Sequence, residues 1–465
     1  MAWTINNGKL YFNSVLYTGN GGTQSITGVG FQPDWVWVKG RSVAAGSNLS
    51  DAVRGVNKQI QSASNAEEES LTTCVTAFGS DGFSLGSNGN VNTGSGTFVS
   101  WNWLAAGTAP SNTYAVKVVS DGGNKYRFDD FGTSAVTLEL SEGGTFTFDQ
   151  SDSSNSGHPL RFSTTSNGTH GGGSEYTTGV TTNGTPGNAG AYTRITVAAS
   201  APTLYYYCTA HSGMGGQANT PVTNSFSNFA GSIQSNISPN TTSGFSVVTY
   251  TGAGSAGTIG HGLNAVPSMY IVKIRSGRTG DWLVYHNAVS ADPQTDFLKL
   301  NETNAVADEA TIWNDTAPTS SVFSVGTEAT VSGNNNTFVA YCFAEKQGYS
   351  KFGSYVGNGN ADGAFVYTGF KPAFVMVKRS SGTDNWMITD DKRSSSDGNN
   401  VIDRRILPNL TNAEYTNTTP MDILSNGFKH RDGDDINNAS GSTYIYMAFA
   451  ENPFTSSAGT PVTAR

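Results

Sequence analysis

An all-β fold, built as several antiparallel sandwiches in one chain, follows from three observations. Apolar runs are short, rich in Val, Ile and aromatics, and bounded by Gly, Asn, Ser and Pro, the pattern of strands between turns. Glycine is abundant, with 56 residues, and 51 aromatics sit in a chain only 36% hydrophobic, which suits many thin cores. The same set of anchors recurs three times, and such internal repeats mark repeated structural units. At ~100–200 residues per domain, 465 residues make three or four domains.

The first copy opens at Tyr17-Thr18-Gly19 and runs to Pro33-Asp34-Trp35-Val36-Trp37-Val38-Lys39. The second runs from Tyr250-Thr251-Gly252 to Pro267-Ser268-Met269-Tyr270-Ile271-Val272-Lys273, and the third from Tyr355-Val356-Gly357 to Pro372-Ala373-Phe374-Val375-Met376-Val377-Lys378. Tyr and Pro are 16, 17 and 17 positions apart, and Pro and Lys 6 in every copy. Each copy returns with Phe83, Phe323 or Phe428 and closes on an aromatic strand beginning at Phe98, Phe338 or Tyr444.

Proline at a strand entry loses least by lacking an N–H. Lysine at the strand end is expected to blunt it and keep it in water. The closing strands are apolar at nearly every position and are expected to be buried on both faces. Residues 51–61 are the best helix candidate. Asp51 and Arg54 match Asp390 and Arg393, a structural ion pair that copy two lacks. Asn65-Ala66, Asn304-Ala305 and Asn412-Ala413 read as one shared turn.

The copies place boundaries at 1–109 for the first sandwich, 110–222 for an inserted domain, 223–346 for a linker and the second sandwich, and 347–465 for the third sandwich and a tail. From Asn452 onward the tail is Thr/Ser-rich and is expected to extend and dock on a neighbouring subunit.

Charged residues are 13% against an average near ~25%, so the surface is polar but largely uncharged. A formal net charge of −9 argues against nucleic acid, which requires an excess of Lys and Arg. No apolar run is long enough to span a bilayer, and no secretion signal is seen at Met1–Leu10. Cys74, Cys208 and Cys342 are too few and scattered for a disulfide framework, and Cys342 is expected to be buried and inert.

The insert differs in texture. Val116–Val119, Tyr126–Phe128, Leu138–Leu140 and Phe146–Phe148 lie in alternating apolar and polar segments, as in half-buried strands. A polar loop leads to His158 at the head of Pro159-Leu160-Arg161-Phe162. An aromatic strand, Tyr205-Tyr206-Tyr207, ends at Cys208 and is followed by Thr209-Ala210-His211-Ser212-Gly213-Met214. Two imidazoles, a thiolate and a thioether are a copper-type set, and His₂Cys with a weak axial Met is the electron-transfer geometry. His170 in a Gly-rich loop and His261, His286 and His430 in the repeats lack ligand spacing and read as surface or turn residues.

On His158 and the Cys208-x-x-His211-x-x-Met214 loop, the insert resembles the cupredoxins. The resemblance implies a Greek-key sandwich holding one copper ion, with His158, Cys208 and His211 in plane and Met214 axial. One departure stands out. The residue after the first histidine usually offers the sulfur an N–H, and here it is Pro159, which has none.

The repeats resemble a β-rich domain of tail-fibre-like and other virion proteins of marine bacteriophages. The carriers are Gly28-Val29-Gly30-Phe31-Gln32-Pro33-Asp34-Trp35, Asp51-Ala52-Val53-Arg54-Gly55, Ser80-Asp81-Gly82-Phe83 and Tyr444–Phe454. That resemblance implies a virion location and a structural role as a fibre, spike or decoration component, without catalysis. It also implies homo-oligomers, which are common among symmetric assemblies, and other virion proteins or a host surface glycan or receptor as partners. A copper electron-transfer protein is one alternative. A glycan-binding protein is another, with Trp35, Trp37, Trp101 and Trp103 as stacking candidates, although aromatics in such strands usually form core.

Overall fold

The computed structural model describes residues 5, 7–394 and 400–452. It is almost entirely β, arranged in multiple antiparallel sheets. The tail lies outside the described residues beyond Asn452.

Each repeat folds the same way. In the first, the opening strand Phe12–Thr18 pairs with the closing strand Thr97–Trp103. The closing strand pairs on its other edge with Trp35–Gly40, which pairs with Asn48–Asp51. The second repeat has the same order with Phe245–Thr251, Thr337–Phe343, Met269–Ser276 and Leu283–His286. The third has it with Ser350–Val356, Thr443–Asn452, Lys371–Arg379 and Trp386–Asp390. The closing strand is therefore internal in every copy, and in the first two it is buried along almost its whole length. Each return strand, carrying Phe83, Phe323 or Phe428, pairs in a separate second sheet of its own repeat.

The three main sheets are not independent sandwiches. They share one core, in which Trp35, Trp37, Trp101, Trp103, Phe245, Tyr341, Phe343, Phe374, Trp386 and Phe449 are all buried. The Trp35 ring stacks on Tyr341 with centroids 4.4 Å apart, and Trp103 meets Phe374 edge-on at 5.8 Å. Buried aromatic pairs of this kind add to the area they remove from water. Trp35, Trp37, Trp101 and Trp103 are each 0% exposed, so none can stack on a sugar.

The contacts between repeats run in a ring. Register makes Asp51, His286 and Asp390 equivalent, opposite Trp35, Met269 and Phe374. Asp51 accepts the Tyr341 hydroxyl at 2.8 Å, His286 Nε2 lies 3.1 Å from the Tyr446 carbonyl, and Asp390 accepts the Trp101 indole N–H at 2.9 Å. Each repeat thus reaches the next, and the third reaches the first.

The repeated lysines close a second ring and correct the expectation of solvated strand ends. Lys39, Lys273 and Lys378 are each 0% exposed. Their ammonium groups donate to the carbonyls of Leu410, Asn65 and Thr303, every one on a neighbouring repeat. A buried ammonium is tolerable only with such partners. The three carbonyls lie on or just before the matched Asn-Ala turns, which therefore form seams between repeats.

Residues 51–61 are not helical. The Asn48–Asp51 strand ends in a turn, with Asp51 Oδ1 accepting the Arg54 N–H at 2.8 Å, and Lys58–Gln61 is again a strand. The Asp51–Arg54 and Asp390–Arg393 pairs are structural ion pairs with fully buried side chains. His261, His286 and His430 are also buried, contrary to a surface reading. Cys74 and Cys342 are buried free thiols.

The insert is a pair of five-stranded sheets, from Ser111–Ser120 through Gly216–Asn219. Two parallel pairings, 111–115 with 145–149 and 138–139 with 218–219, break the antiparallel pattern. Its core continues into that of the second repeat, where Phe128 and Phe229 stack at 5.9 Å. No helix among the described residues is long and apolar enough to cross a membrane.

Candidate metal centre

Strand pairing assembles the site. Leu160–Ser163 runs antiparallel to Leu204–Cys208, with Leu160 opposite Cys208. His158, two residues before Leu160, therefore meets the cysteine at the end of the partner strand. The loop after Cys208 turns back at Gly213, whose φ is +74°, and brings His211 over the same sulfur.

The Cys208 sulfur lies 3.9 Å from His158 Nδ1 and 3.8 Å from His211 Nδ1, and the two imidazole centroids are 4.5 Å apart. The three donor atoms all fall within 4.8 Å of one another. A trigonal centre with metal bonds of about 2.1 Å to nitrogen and about 2.3 Å to sulfur has S···N edges of about 3.8 Å. The observed spacing fits such a centre.

Burial and the adjacent His211 hold His158 below the usual imidazole range, favouring the neutral, metal-binding form. Met214 is buried at 1% exposure in the same core as Cys208. Cys208 is buried, His158 half-buried and His211 exposed, so the site lies at the surface with its sulfur inside.

A dense polar frame surrounds these residues. The His158 carbonyl accepts the Tyr126 hydroxyl and the Gln150 amide, both at 2.9 Å. The same Gln150 accepts the Leu160 N–H at 3.1 Å. Asn167 accepts the Gly213 N–H at 2.8 Å and donates to Ser212 at 2.8 Å. Lys125 donates to the Gly213 carbonyl. His170 is exposed, yet its Nε2 lies 3.0 Å from the Cys208 carbonyl, so the Gly-rich loop braces the ligand strand. Sequence reasoning missed Tyr126, Gln150, Asn167 and His170, because single polar residues on distant segments have no shared spacing. Pro159 continues the strand pairing through its carbonyl, which accepts the Thr209 N–H at 3.1 Å.

A family model described as a domain of unknown function, DUF7483, matches residues 7–122 and 217–453, well over half of the chain. The chain belongs to this family. The match passes over residues 123–216, and His158, Cys208, His211 and Met214 all lie in that gap. The matched residues carry the three-repeat core and the insert's strand Ser111–Ser120, while the metal-type cluster lies in the unmatched stretch. No curated protein and no solved structure matches the chain.

Proposed function

We propose that this DUF7483 protein is a structural component of a bacteriophage particle surface whose inserted domain carries a mononuclear copper site. The structural role rests on the ring of contacts that locks three repeats around one aromatic core, a rigid body with little charge. Its expected partners are other virion proteins and further copies of itself.

The copper site rests on the Cys208, His158 and His211 donors at trigonal spacing, with Met214 buried in the same core as Cys208. A thiolate and thioether favour copper over hard cations. Copper so held supplies one-electron transfer. The protein's part is to keep the sulfur away from water and the imidazoles fixed. The exposed His211 edge favours a second reading as an electron-transfer protein, which requires a redox partner.

Aerobically purified protein should hold about one copper per chain and show an intense thiolate-to-copper band. Cys208→Ser should lose both, as read by visible absorption and metal mass spectrometry. Folded protein that stays metal-free when offered copper would overturn the metal assignment. The structural assignment is tested separately by mass spectrometry of purified particles of the phage that encodes the chain. Its absence from them would leave the electron-transfer reading.

A further inference from the structure

We propose that Phe365 and Tyr367 form a stacking platform for a neutral glycan on the outer face of the third repeat. The platform is independent of the copper site. The strand Phe365–Tyr367 is at the edge of the sheet that also holds Gly427–His430, Tyr415–Leu424 and Val401–Arg405. Val366 is part of the buried core of that repeat, so its two neighbours point the other way, as successive side chains of a strand do. Phe365 is 47% exposed and Tyr367 64%.

The other repeats show that the fold does not require these rings. Register places Ile26, Ile259 and Val366 opposite Phe83, Phe323 and Phe428. Phe365 and Tyr367 are therefore the counterparts of Ser25 and Thr27 in the first repeat, and of Thr258 and Gly260 in the second. Those counterparts find partners within the chain. The Ser25 hydroxyl lies 3.2 Å from that of Ser84, and the Thr258 hydroxyl accepts the Ser232 N–H at 3.0 Å. The third repeat instead presents two aromatic rings to water, and it holds them in place. Phe365 lies against Gly427, where an added Cβ would come within 3.1 Å of its Cε2, and Tyr367 lies against Gly369, where one would come within 3.5 Å of its hydroxyl oxygen. Rings already seated lose little freedom when a ligand lands on them.

Area and charge select the occupant. Full burial of an aromatic side chain removes about 150–250 Å², so at these exposures the two rings leave roughly 200 Å² open. A stable protein interface takes about 800 Å² from each partner, so a second copy of the chain finds too little here. A short run of sugar rings matches the open area. The rim carries matched charge: Lys429, opposite Phe365, pairs with Asp362 at 2.6 Å, and Arg431 pairs with Asp422 at 3.0 Å. Such a rim favours neither an anionic nor a cationic ligand, yet it offers donors and acceptors to hydroxyl groups. A pyranose has both parts required, a face of C–H groups for the negative faces of the rings and hydroxyls around its edge for the rim.

The full-length protein should bind on an array of neutral bacterial surface oligosaccharides, with titration calorimetry of those that score. Phe365→Ser/Tyr367→Thr installs the residues of the first repeat, so the fold accommodates them. That variant should bind about 10–100-fold more weakly with an unchanged unfolding midpoint. Val222→Ser, at a residue 83% exposed elsewhere on the chain, should bind as wild type does. Should the double variant not fold, Tyr367→Thr at the more exposed ring decides. Wild-type protein that binds no member of the array, or a folded platform variant that binds as tightly as wild type, would overturn the proposal. A platform variant that dissociates a wild-type oligomer, with no glycan bound by either, would give the rings to a second copy and overturn it equally.

Discussion

Arg54→Met should destabilise the protein by about 3–5 kcal/mol, the usual consequence of leaving one member of a buried ion pair alone. The Arg54 side chain is 0% exposed. It binds Asp51, reaches Glu68 at 3.0 Å, and donates to the Leu49 carbonyl at 3.0 Å and to the Tyr341 hydroxyl of the second repeat at 3.1 Å. Methionine replaces the volume and none of these side-chain bonds, so Asp51 keeps a charge inside the core with no counter-ion, held only by the backbone N–H of residue 54 and the Tyr341 hydroxyl. The second repeat indicates the remedy. There His286, Val289 and Val306 occupy the places of Asp51, Arg54 and Glu68: His286 by register, and Val306 because its N–H bonds the third repeat as that of Glu68 bonds the second. The triple variant Asp51→His/Arg54→Val/Glu68→Val should therefore lose less than Arg54→Met, because it removes the fully buried pair together, and the ion it strips of a partner, Arg275, has a side chain 19% exposed. Guanidinium midpoints compare the two. A single variant that loses under about 1 kcal/mol, or a triple that loses more than the single, would refute this account.

That concerted exchange was visible in the sequence as the absence of Asp-x-x-Arg from copy two, but its meaning was not. The repeat anchors were legible because strands need short apolar runs and turns need Gly, Asn and Pro at set places. The ligand types were legible because Cys208, His211 and Met214 share one loop. The common core was not, since alternation tells which face of a strand is buried and not what covers it. Lys39, Lys273 and Lys378 read as solvated ends because the carbonyls that receive them are on other repeats. His261 and His430 read as turn residues because their polar neighbours give no sign of burial, yet each ring is buried within its own repeat, against the Thr319 carbonyl and the Asn437 amide. Residues 51–61 read as helix because Ala52, Val53 and Arg54 suit one, yet the Asp51 side chain closes a turn instead.

Acid should loosen this core between about pH 6.5 and pH 4, and three buried imidazoles are the reason. His261, His286 and His430 are each held down at about 4, chiefly by burial. Geometry adds to this. The Nδ1 of His261 accepts the Leu263 N–H at 3.2 Å, that of His286 accepts the Ala288 N–H at 3.1 Å, and that of His430 faces the Asn437 amide at 3.0 Å. Protonation would place one N–H against another. Because the folded state binds protons less readily than the unfolded chain, these groups stabilise the fold fully above an unfolded value near 6.5. Their contribution is lost as pH falls towards about 4. Each is of order 3 kcal/mol, since one pKa unit is about 1.4 kcal/mol. Asp34 works the other way. Burial raises its carboxyl to about 6, so it favours the fold as pH falls over much of the same window. A shift of that size offsets about one histidine and leaves two unopposed by it. Proton resonances of the three imidazoles should stay fixed until pH nears 4, while urea midpoints fall steadily below pH 6.5. His286→Gln, which keeps a side chain able to accept and donate, should shallow that fall by about half. Imidazoles that titrate near 6.5 in the folded protein would show that the ring of contacts opens far more readily than its packing implies.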